Sequence, residues 1–161
     1  MDRKELMEFF VNKTFAIPHF QRDYAWRTDN VNELWEDIED AISHGTQHYI
    51  GTFILSIRPK EERHDDFDER HKVVDGQQRL TTLTMIINAL LNRLPSGDHR
   101  RVHYESVFLK SGDDLKLWLQ PTEHEFFQAL MSPETPTLEP ETQSQRLMLK
   151  AQKRIDDKVD V

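Results

Sequence analysis

At 161 residues, the chain is long enough for one domain with a proper hydrophobic core and short for two. It contains no cysteine, which excludes disulfides, thiolate zinc sites and cysteine nucleophiles. With a formal net charge of −8, its overall field does not attract a nucleic-acid backbone, although one or two arginines and a magnesium ion can still hold a triphosphate locally.

The location of the protein is indicated by what the sequence lacks. Even the most apolar stretch, 83–94, is interrupted by polar residues and is too short to cross a bilayer. The first residues do not show the basic-then-apolar pattern of a secretory signal. Together with the absence of cysteine, this predicts a cytoplasmic protein with no membrane partner.

The first elements are short. Apolar spacing predicts a helix over 3–11, and Phe15–Ile17 is a strand candidate. The following segment, 18–26, is dense in aromatic and polar side chains but lacks helical spacing, which predicts an ordered connection. Of its aromatic residues, Phe20 and Trp26 are assigned to the core.

A longer amphipathic helix comes next. Asn30-x-x-Glu33 has the pattern of a capping box that opens a helix. One face of that helix is apolar and the other is acidic, which is typical of a solvated surface helix. Gly45 is expected to end it.

Two strands are predicted before the middle of the chain. The nearly continuous apolar run 49–57 predicts a strand buried on both faces, in which Gly51 indicates a close backbone approach. The polar segment 58–70 is expected to be a solvated, mobile loop. It leads to a second strand at 71–74.

The turn after that strand is the most informative stretch. Gly76 allows unusual backbone angles, and the turn presents free N–H groups at a helix start, where the macrodipole favours negative charge. Arg79 falls in this first turn, where a cation is unfavourable unless an anion or a carboxylate lies beside it. The alternative is structural: Asp75 and Gln78 have the spacing of a capping box.

The second half predicts further helices and one hairpin. The helix over 79–94 is apolar around most of its circumference and is therefore expected to be buried. A hairpin is predicted from 104–109 and 115–119, and helices from 123–131 and 143–161.

These elements predict an α+β fold in which a small mixed sheet is flanked by helices. Residues 1–131 are expected to form the main domain, and 132–140, with three prolines, a loop or linker. Residues 141–161 are expected to begin a following helical region that is truncated, because the last helix shows no cap signal.

Two stretches together resemble a known family. Residues 17–26 (IPHFQRDYAW) and 74–83 (VDGQQRLTTL) are similar to the paired signatures of the GmrSD-type N-terminal domain of bacterial modification-dependent restriction and anti-phage proteins, such as GmrS-GmrD and SspE. Residues 49–51 resemble the family's intervening strand, and the segments 116–119 and 126–130 its hairpin and helix. The resemblance implies a ParB/sulfiredoxin-like fold and a nucleoside-triphosphate-binding and hydrolysing sensor or regulatory module.

The resemblance also implies roles for individual residues. Asp75, Gln78 and Arg79 would form the catalytic set, with Asp75 holding Mg²⁺ or accepting a proton from the attacking water. For Tyr24, stacking on a base and packing in the core remain alternatives. The residues implied in nucleotide binding are Gln21, Arg22, Tyr24, Gly76 and Gln77.

Two other functions stay open. The chain could be a non-catalytic module that recognises DNA or modified DNA through a cleft between Arg22 and Arg79, or a structural or oligomerising domain whose turn only caps a helix. Full-length relatives carry a C-terminal His-Asn-His nuclease domain that is absent from these residues. DNA cleavage is therefore not assigned to this chain, and DNA is expected as a partner only in the context of a longer protein.

Overall fold

A computed structural model describes residues 4–45, 49–136 and 138–161. The helices are α1 (Leu6–Phe10), α2 (Thr28–His44), α3 (Gln77–Asn92), α4 (His99–Tyr104), α5 (Pro121–Met131) and α6 (Gln143–Val159). The strands are β1 (Phe15–Ala16), β2 (Ile54–Ser56), β3 (His71–Asp75), β4 (Lys110–Ser111), β5 (Asp114–Leu115) and β6 (Leu117–Trp118). A 3₁₀ helix covers Lys60–Glu62, and a π-helical segment covers Glu105–Leu109.

A small mixed sheet lies at the centre of the fold, with the strand order β2-β3-β1-β6. β1 runs parallel to both β3 and β6, with Phe15 opposite His71 on one side and Leu117 on the other. β2 pairs antiparallel with β3 at the edge, and β4 and β5 form a separate hairpin. The predicted α+β fold with a small mixed sheet is confirmed, whereas its likeness to ParB and sulfiredoxin stays a prediction.

Helix α3 is the central helix, and its burial is confirmed. Leu80, Met85 and Ile86 are almost completely buried, and so are several threonines of the same helix. Thr82 Oγ1, for example, donates to the Gln78 carbonyl oxygen at 2.9 Å. Such bonds to the preceding turn satisfy hydroxyls that would otherwise be costly to bury, so polar residues are tolerated at these positions.

Helix α6 packs against α2, α3 and α5. Its apolar face, which includes Met148 and Ile155, belongs to the same core cluster as Leu80 of α3 and Phe127 of α5. The segment 132–140, of which residue 137 lies outside the described residues, therefore connects two helices that share one core.

The strand predicted over 49–57 is shorter and less buried than expected. Only Ile54–Ser56 form β2, which is an edge strand, and Ile54 is exposed. The continuous apolar run was misleading because β2 pairs with β3 along one edge and has no strand on its other edge. The residues before β2 pack as irregular chain over the start of α3. The predicted interior strand is wrong.

Other local predictions also need correction. Residues 104–109 form helical and π-helical turns rather than a strand, although the hairpin turn lies where it was expected, at Gly112. The loop 58–70 is not fully solvated: its last residue, Arg70, is buried, donates to three backbone carbonyls and lies 3.5 Å from the ring centroid of Trp118. Phe20 is exposed and not in the core, whereas Trp26 packs against the core as predicted.

The capping box predicted for Asn30 and Glu33 differs from the structure as well. Helix α2 begins earlier than expected, so Asn30 does not cap it but accepts a hydrogen bond from the Arg27 N–H at 2.9 Å. Gly45 ends this helix in the left-handed conformation, as predicted.

None of the helices in the described ranges has the length and the apolar character that crossing a bilayer requires.

Candidate functional site

The turn between β3 and α3 depends on Gly76. This residue is the N-cap of α3, with φ +93°, and no side chain caps the helix. A Cβ at this position would lie 2.6 Å from Cδ1 of Phe53, so both the backbone angle and the packing require glycine. The capping box predicted for Asp75 and Gln78 is therefore wrong, and the first N–H groups of α3 are left without a side-chain partner.

The side chain of Gln78 points to the segment 18–26. Its Oε1 accepts a hydrogen bond from the Ala25 N–H at 2.7 Å, and its Nε2 donates to the Asp23 carbonyl oxygen at 3.1 Å. One residue away, the hydroxyl of Tyr24 lies 2.8 Å from Thr82 Oγ1. These bonds hold the irregular segment against the first turns of α3. Both ends of the Gln78 amide are thus engaged with backbone, which is a positioning geometry.

Tyr24 itself is a core residue, and the geometry favours the packing alternative for it. Only 6% of its surface is exposed. Burial, partly offset by the hydrogen bond with Thr82, raises the pKa of Tyr24 to about 12. A ring so placed cannot stack on a nucleobase without leaving the core.

Gln21 joins three parts of the fold. Its Nε2 donates to the carbonyl oxygen of Val74 at 3.2 Å, and its Oε1 accepts from Nε2 of Gln77 at 3.4 Å. Gln120, just before α5, donates to the backbone carbonyl of Gln21 at 3.1 Å. The two sequence stretches that suggested the family therefore meet in space, and the start of α5 joins them.

A small cavity with a mostly polar lining lies where these segments meet. The exposed side chain of Arg22 lies at its rim, while Glu123 and Ser144 are buried. Free space inside is sufficient for about one water molecule. The complete lining is Ile17, Arg22, Tyr24, Gln77, Gln78, Thr81, Leu119, Gln120, Glu123 and Ser144.

Glu123 is one of the cavity residues that sequence reasoning missed, together with Gln120 and Ser144. The Thr142 hydroxyl lies 3.1 and 3.2 Å from its two carboxylate oxygens, and burial raises the pKa of this carboxyl. A usable signal was present in the sequence, because Glu123 lies on the apolar stripe of its helix, three and four residues before Phe126 and Phe127. A carboxylate on a stripe that packs inward is expected to have a specific partner or role.

Arg79 does not line this cavity. Its guanidinium packs over Gly51, where a Cβ would lie 2.7 Å from Cζ of Arg79, and this confirms the close approach predicted at Gly51. Successive helical residues point about 100° apart, so Arg79 cannot face the same side as Gln78. Among residues 4–45, 49–136 and 138–161, it forms no hydrogen bond or ion pair, and the first turn of α3 contains no acidic residue. The start of α3 thus has Arg22 beside one flank and Arg79 on another.

Asp75 is the last residue of β3, with its side chain exposed. No hydrogen bond or ion pair to its carboxylate occurs within the described residues, where no group of three His, Asp or Glu could hold a metal by itself. Mg²⁺ commonly uses one or two carboxylates together with substrate phosphates and water. One free carboxylate beside the start of α3 fits that requirement when the phosphates are supplied by the ligand.

Fold and site together define an α+β domain with a small polar cavity and two arginines at the start of its central helix. The chain belongs to the family of the GmrSD restriction endonuclease N-terminal domain, whose model matches residues 5–160. This match confirms the resemblance seen in the two sequence stretches, and it extends through α6. A search of curated proteins returns no match to this chain.

Proposed function

We propose that this chain is the NTP-binding and hydrolysing sensor domain of a DNA-restriction protein of the anti-phage type. Its membership of a restriction-endonuclease domain family supports the biological setting. The observation that carries the chemistry is the pair of hydrogen bonds in which the Gln78 side chain accepts from the Ala25 N–H and donates to the Asp23 carbonyl oxygen. This pair holds Arg22 beside the uncapped start of α3, where anions are favoured.

The phosphates are placed by the positive groups around the start of α3. In this proposal the free N–H groups of Gln77 and Gln78 donate to phosphate oxygens. Arg22 and Arg79 add bidentate, charge-assisted hydrogen bonds on different sides of the helix start. The unfavourable position of the Arg79 charge at a helix N-terminus is then compensated by the ligand.

Asp75 is proposed to hold Mg²⁺ together with the phosphates and water. The ion supplies neutralisation of charge that develops on the phosphate oxygens. Gln77, whose amide already contacts Gln21 at 3.4 Å, orients groups at the mouth of the cavity. Because the cavity has room for about one water, the triphosphate lies at its mouth and not inside.

For stacking on the base we propose another aromatic residue of the same segment in place of Tyr24. Phe20 is 74% exposed and immediately precedes Gln21. An exposed aromatic ring next to phosphate-binding groups offers about 1–3 kcal/mol of stacking energy to a base. Phe20→Ala is expected to raise KM for the nucleotide and to leave kcat nearly unchanged.

The decisive experiment is phosphate release from ATP, GTP, CTP and UTP with and without Mg²⁺. Wild-type protein is compared with Arg79→Ala and Gln21→Ala, and with Arg100→Ala as the control, since Arg100 is exposed on α4. We expect hydrolysis to fall at least about 100-fold in folded Arg79→Ala and to remain near wild type in the control.

The other outcomes identify the alternatives. Salt-sensitive DNA binding without any effect of NTP or Mg²⁺ would favour a DNA-recognition module. A change in melting temperature alone for Arg79→Ala would leave only a structural or oligomerising role. Because the net charge is −8, we propose that DNA is contacted only in the context of a longer protein. A cytoplasmic location is proposed for that protein.

A further inference from the structure

The floor of the cavity contains a hydroxyl without a partner. Ser144 is 7% exposed, and its Oγ forms no hydrogen bond within the described residues. Buried polar atoms of this kind are rare and usually contact water or a ligand. Since Ser144 lines a cavity with room for about one water, a water molecule is the simplest partner for it.

The same floor contains a carboxyl group. Glu123 is 2% exposed, and the Thr142 hydroxyl is within hydrogen-bond distance of both its oxygens. Each carboxylate oxygen has two lone-pair sites, so the hydrogen bonds from Thr142 and Gln145 leave capacity for a water. Glu123 and Ser144 thus line a water-sized space behind the rim where Arg22 lies.

We propose that Glu123 is the general base of the hydrolysis and that Ser144 positions the attacking water beside it. This inference rests on the proposed function, because it assigns the proton acceptor for the same reaction. The water oxygen bonds to the terminal phosphorus, and one water proton passes to the Glu123 carboxylate. The bond from that phosphorus to the bridging oxygen breaks, and the nucleoside diphosphate leaves with the electron pair.

The surroundings of Glu123 hold the pKa of its carboxyl above the ordinary value. Burial and the charge of Asp23 raise the pKa of the carboxyl, and hydrogen bonds from Thr142, the N-cap residue of α6, and from Gln145 lower it in part. Arg22 is the cation that faces the cavity, and the wall from α3 (Gln77, Gln78 and Thr81) is uncharged. A general base is most effective when its pKa lies close to the working pH.

The test compares Glu123→Gln with Glu125→Gln, an exposed position two residues further along α5. Single-turnover hydrolysis with Mg²⁺·NTP is measured from pH 5 to pH 9, and affinity for the same NTP by titration. Glu123→Gln is expected to lower the rate about 10²–10⁴-fold, to abolish the acidic limb of the pH–rate profile and to change affinity less than threefold. Glu125→Gln should behave as wild type. An unchanged rate and acidic limb in Glu123→Gln would overturn the inference.

Ser144→Ala provides the second variant, because removing a hydroxyl without a partner should not unfold the protein. We expect about a tenfold lower rate with the melting temperature and the acidic limb retained. If Glu123→Gln fails to fold, a wild-type rate in Ser144→Ala refutes the assignment. Wild-type protein that binds and hydrolyses no NTP would refute the proposed function itself. If wild-type protein hydrolyses NTP and Glu123→Gln does so at the same rate, only the assignment of Glu123 as general base is refuted.

Discussion

Gly51 and Arg79 form a close pair in which the absent side chain of one leaves room for the guanidinium of the other. A Cβ at position 51 would lie 2.7 Å from Cζ of Arg79, well inside normal contact distance. Gly51 also has φ +144°, a conformation that other residues rarely adopt. The irregular segment before β2 therefore determines where the Arg79 charge lies, although it is far away in the sequence.

Replacing Gly51 by alanine should displace Arg79. The guanidinium is the flexible end of a side chain and can move, so the steric cost is small and backbone strain of about 1–2 kcal/mol is the main loss of stability. We expect Gly51→Ala to lose NTP hydrolysis nearly as far as Arg79→Ala, as measured by phosphate release at equal folded fraction.

A second glycine separates this effect from strain alone. Gly112 has φ +64°, but a Cβ there would meet nothing within 4 Å. Gly112→Ala should therefore cost stability without lowering hydrolysis. Equal activity in Gly51→Ala and Gly112→Ala would show that the position of Arg79 does not matter for the reaction.

Gly76→Ala should lower the stability of the protein more than Gly51→Ala does. Here the new Cβ would overlap the ring of Phe53 and approach the backbone oxygen of Thr52 at 3.3 Å, and φ is +93°. We expect a loss of about 2–4 kcal/mol in the free energy of unfolding and a fall in Tm of roughly 5–15 °C. Thermal denaturation followed by circular dichroism measures both.

Gly97→Ala is the matched control for Gly76→Ala. Gly97 does not have a positive φ, and a Cβ there would meet nothing within 4 Å. Its Tm should stay within about 2 °C of wild type. A Gly76→Ala protein as stable as this control would mean that Phe53 does not pack on the turn.

The sequence predicted where the turn and the helix of this region lie, but not which of their side chains lie close together. The positions of the glycine turn and of the buried helix followed from residue type and periodicity alone. Which side chains share one cavity did not, because Gln78 and Arg79 are neighbours in sequence and point in different directions on a helix. Direction around a helix start depends on its first residue, which is the least predictable feature of an element.

Burial was predicted correctly for the central helix and wrongly for the strand before it. The helix over 79–94 was expected to be buried because it is apolar around most of its circumference, and α3 is buried, whereas the apolar run before β2 lies at a sheet edge with Ile54 exposed. Whether a strand is central or at an edge depends on partners elsewhere in the chain, in this case β1 and β3. Glu123 was missed for a related reason, since its partner Thr142 is the N-cap residue of α6, beyond a proline-rich segment.

Gln78→Ala should release the segment 18–26 from α3. The substitution removes the acceptor of the Ala25 N–H and the donor to the Asp23 carbonyl, at a cost of about 1–3 kcal/mol. We expect faster hydrogen exchange at the Ala25 amide, measured by NMR, together with weaker NTP binding because Arg22 loses its fixed position. Gln128→Ala, at an exposed position on α5, should change neither.

A catalytic role of Gln78 gives a different result. If its amide acts directly on the attacking water, Gln78→Ala lowers kcat while exchange at Ala25 stays slow. Slow exchange in the variant would therefore contradict the positioning role that the geometry favours.

Tyr24 makes stability depend on alkaline pH. Because Thr82 Oγ1 donates its hydrogen to the Gln78 carbonyl, the 2.8 Å bond between Tyr24 and Thr82 has the tyrosine as donor, and only the neutral phenol can form it. Burial raises the pKa of Tyr24 to about 12, so between its ordinary value of 10.0 and 12 the unfolded chain loses this proton while the folded protein keeps it. The free energy of unfolding then falls by about 1.4 kcal/mol per pH unit across that window, and the contribution of Tyr24 to stability is lost as the pH rises.

Tyr24→Phe tests this dependence. The variant should be less stable than wild type at pH 8 by about 1 kcal/mol, from the lost hydrogen bond, and this difference should become smaller or reverse by pH 12. Urea denaturation at a series of pH values measures the difference, with Tyr49→Phe as the control for an exposed tyrosine. A constant difference between wild type and Tyr24→Phe from pH 8 to pH 12 would show that the phenol titrates equally in the folded and unfolded chains.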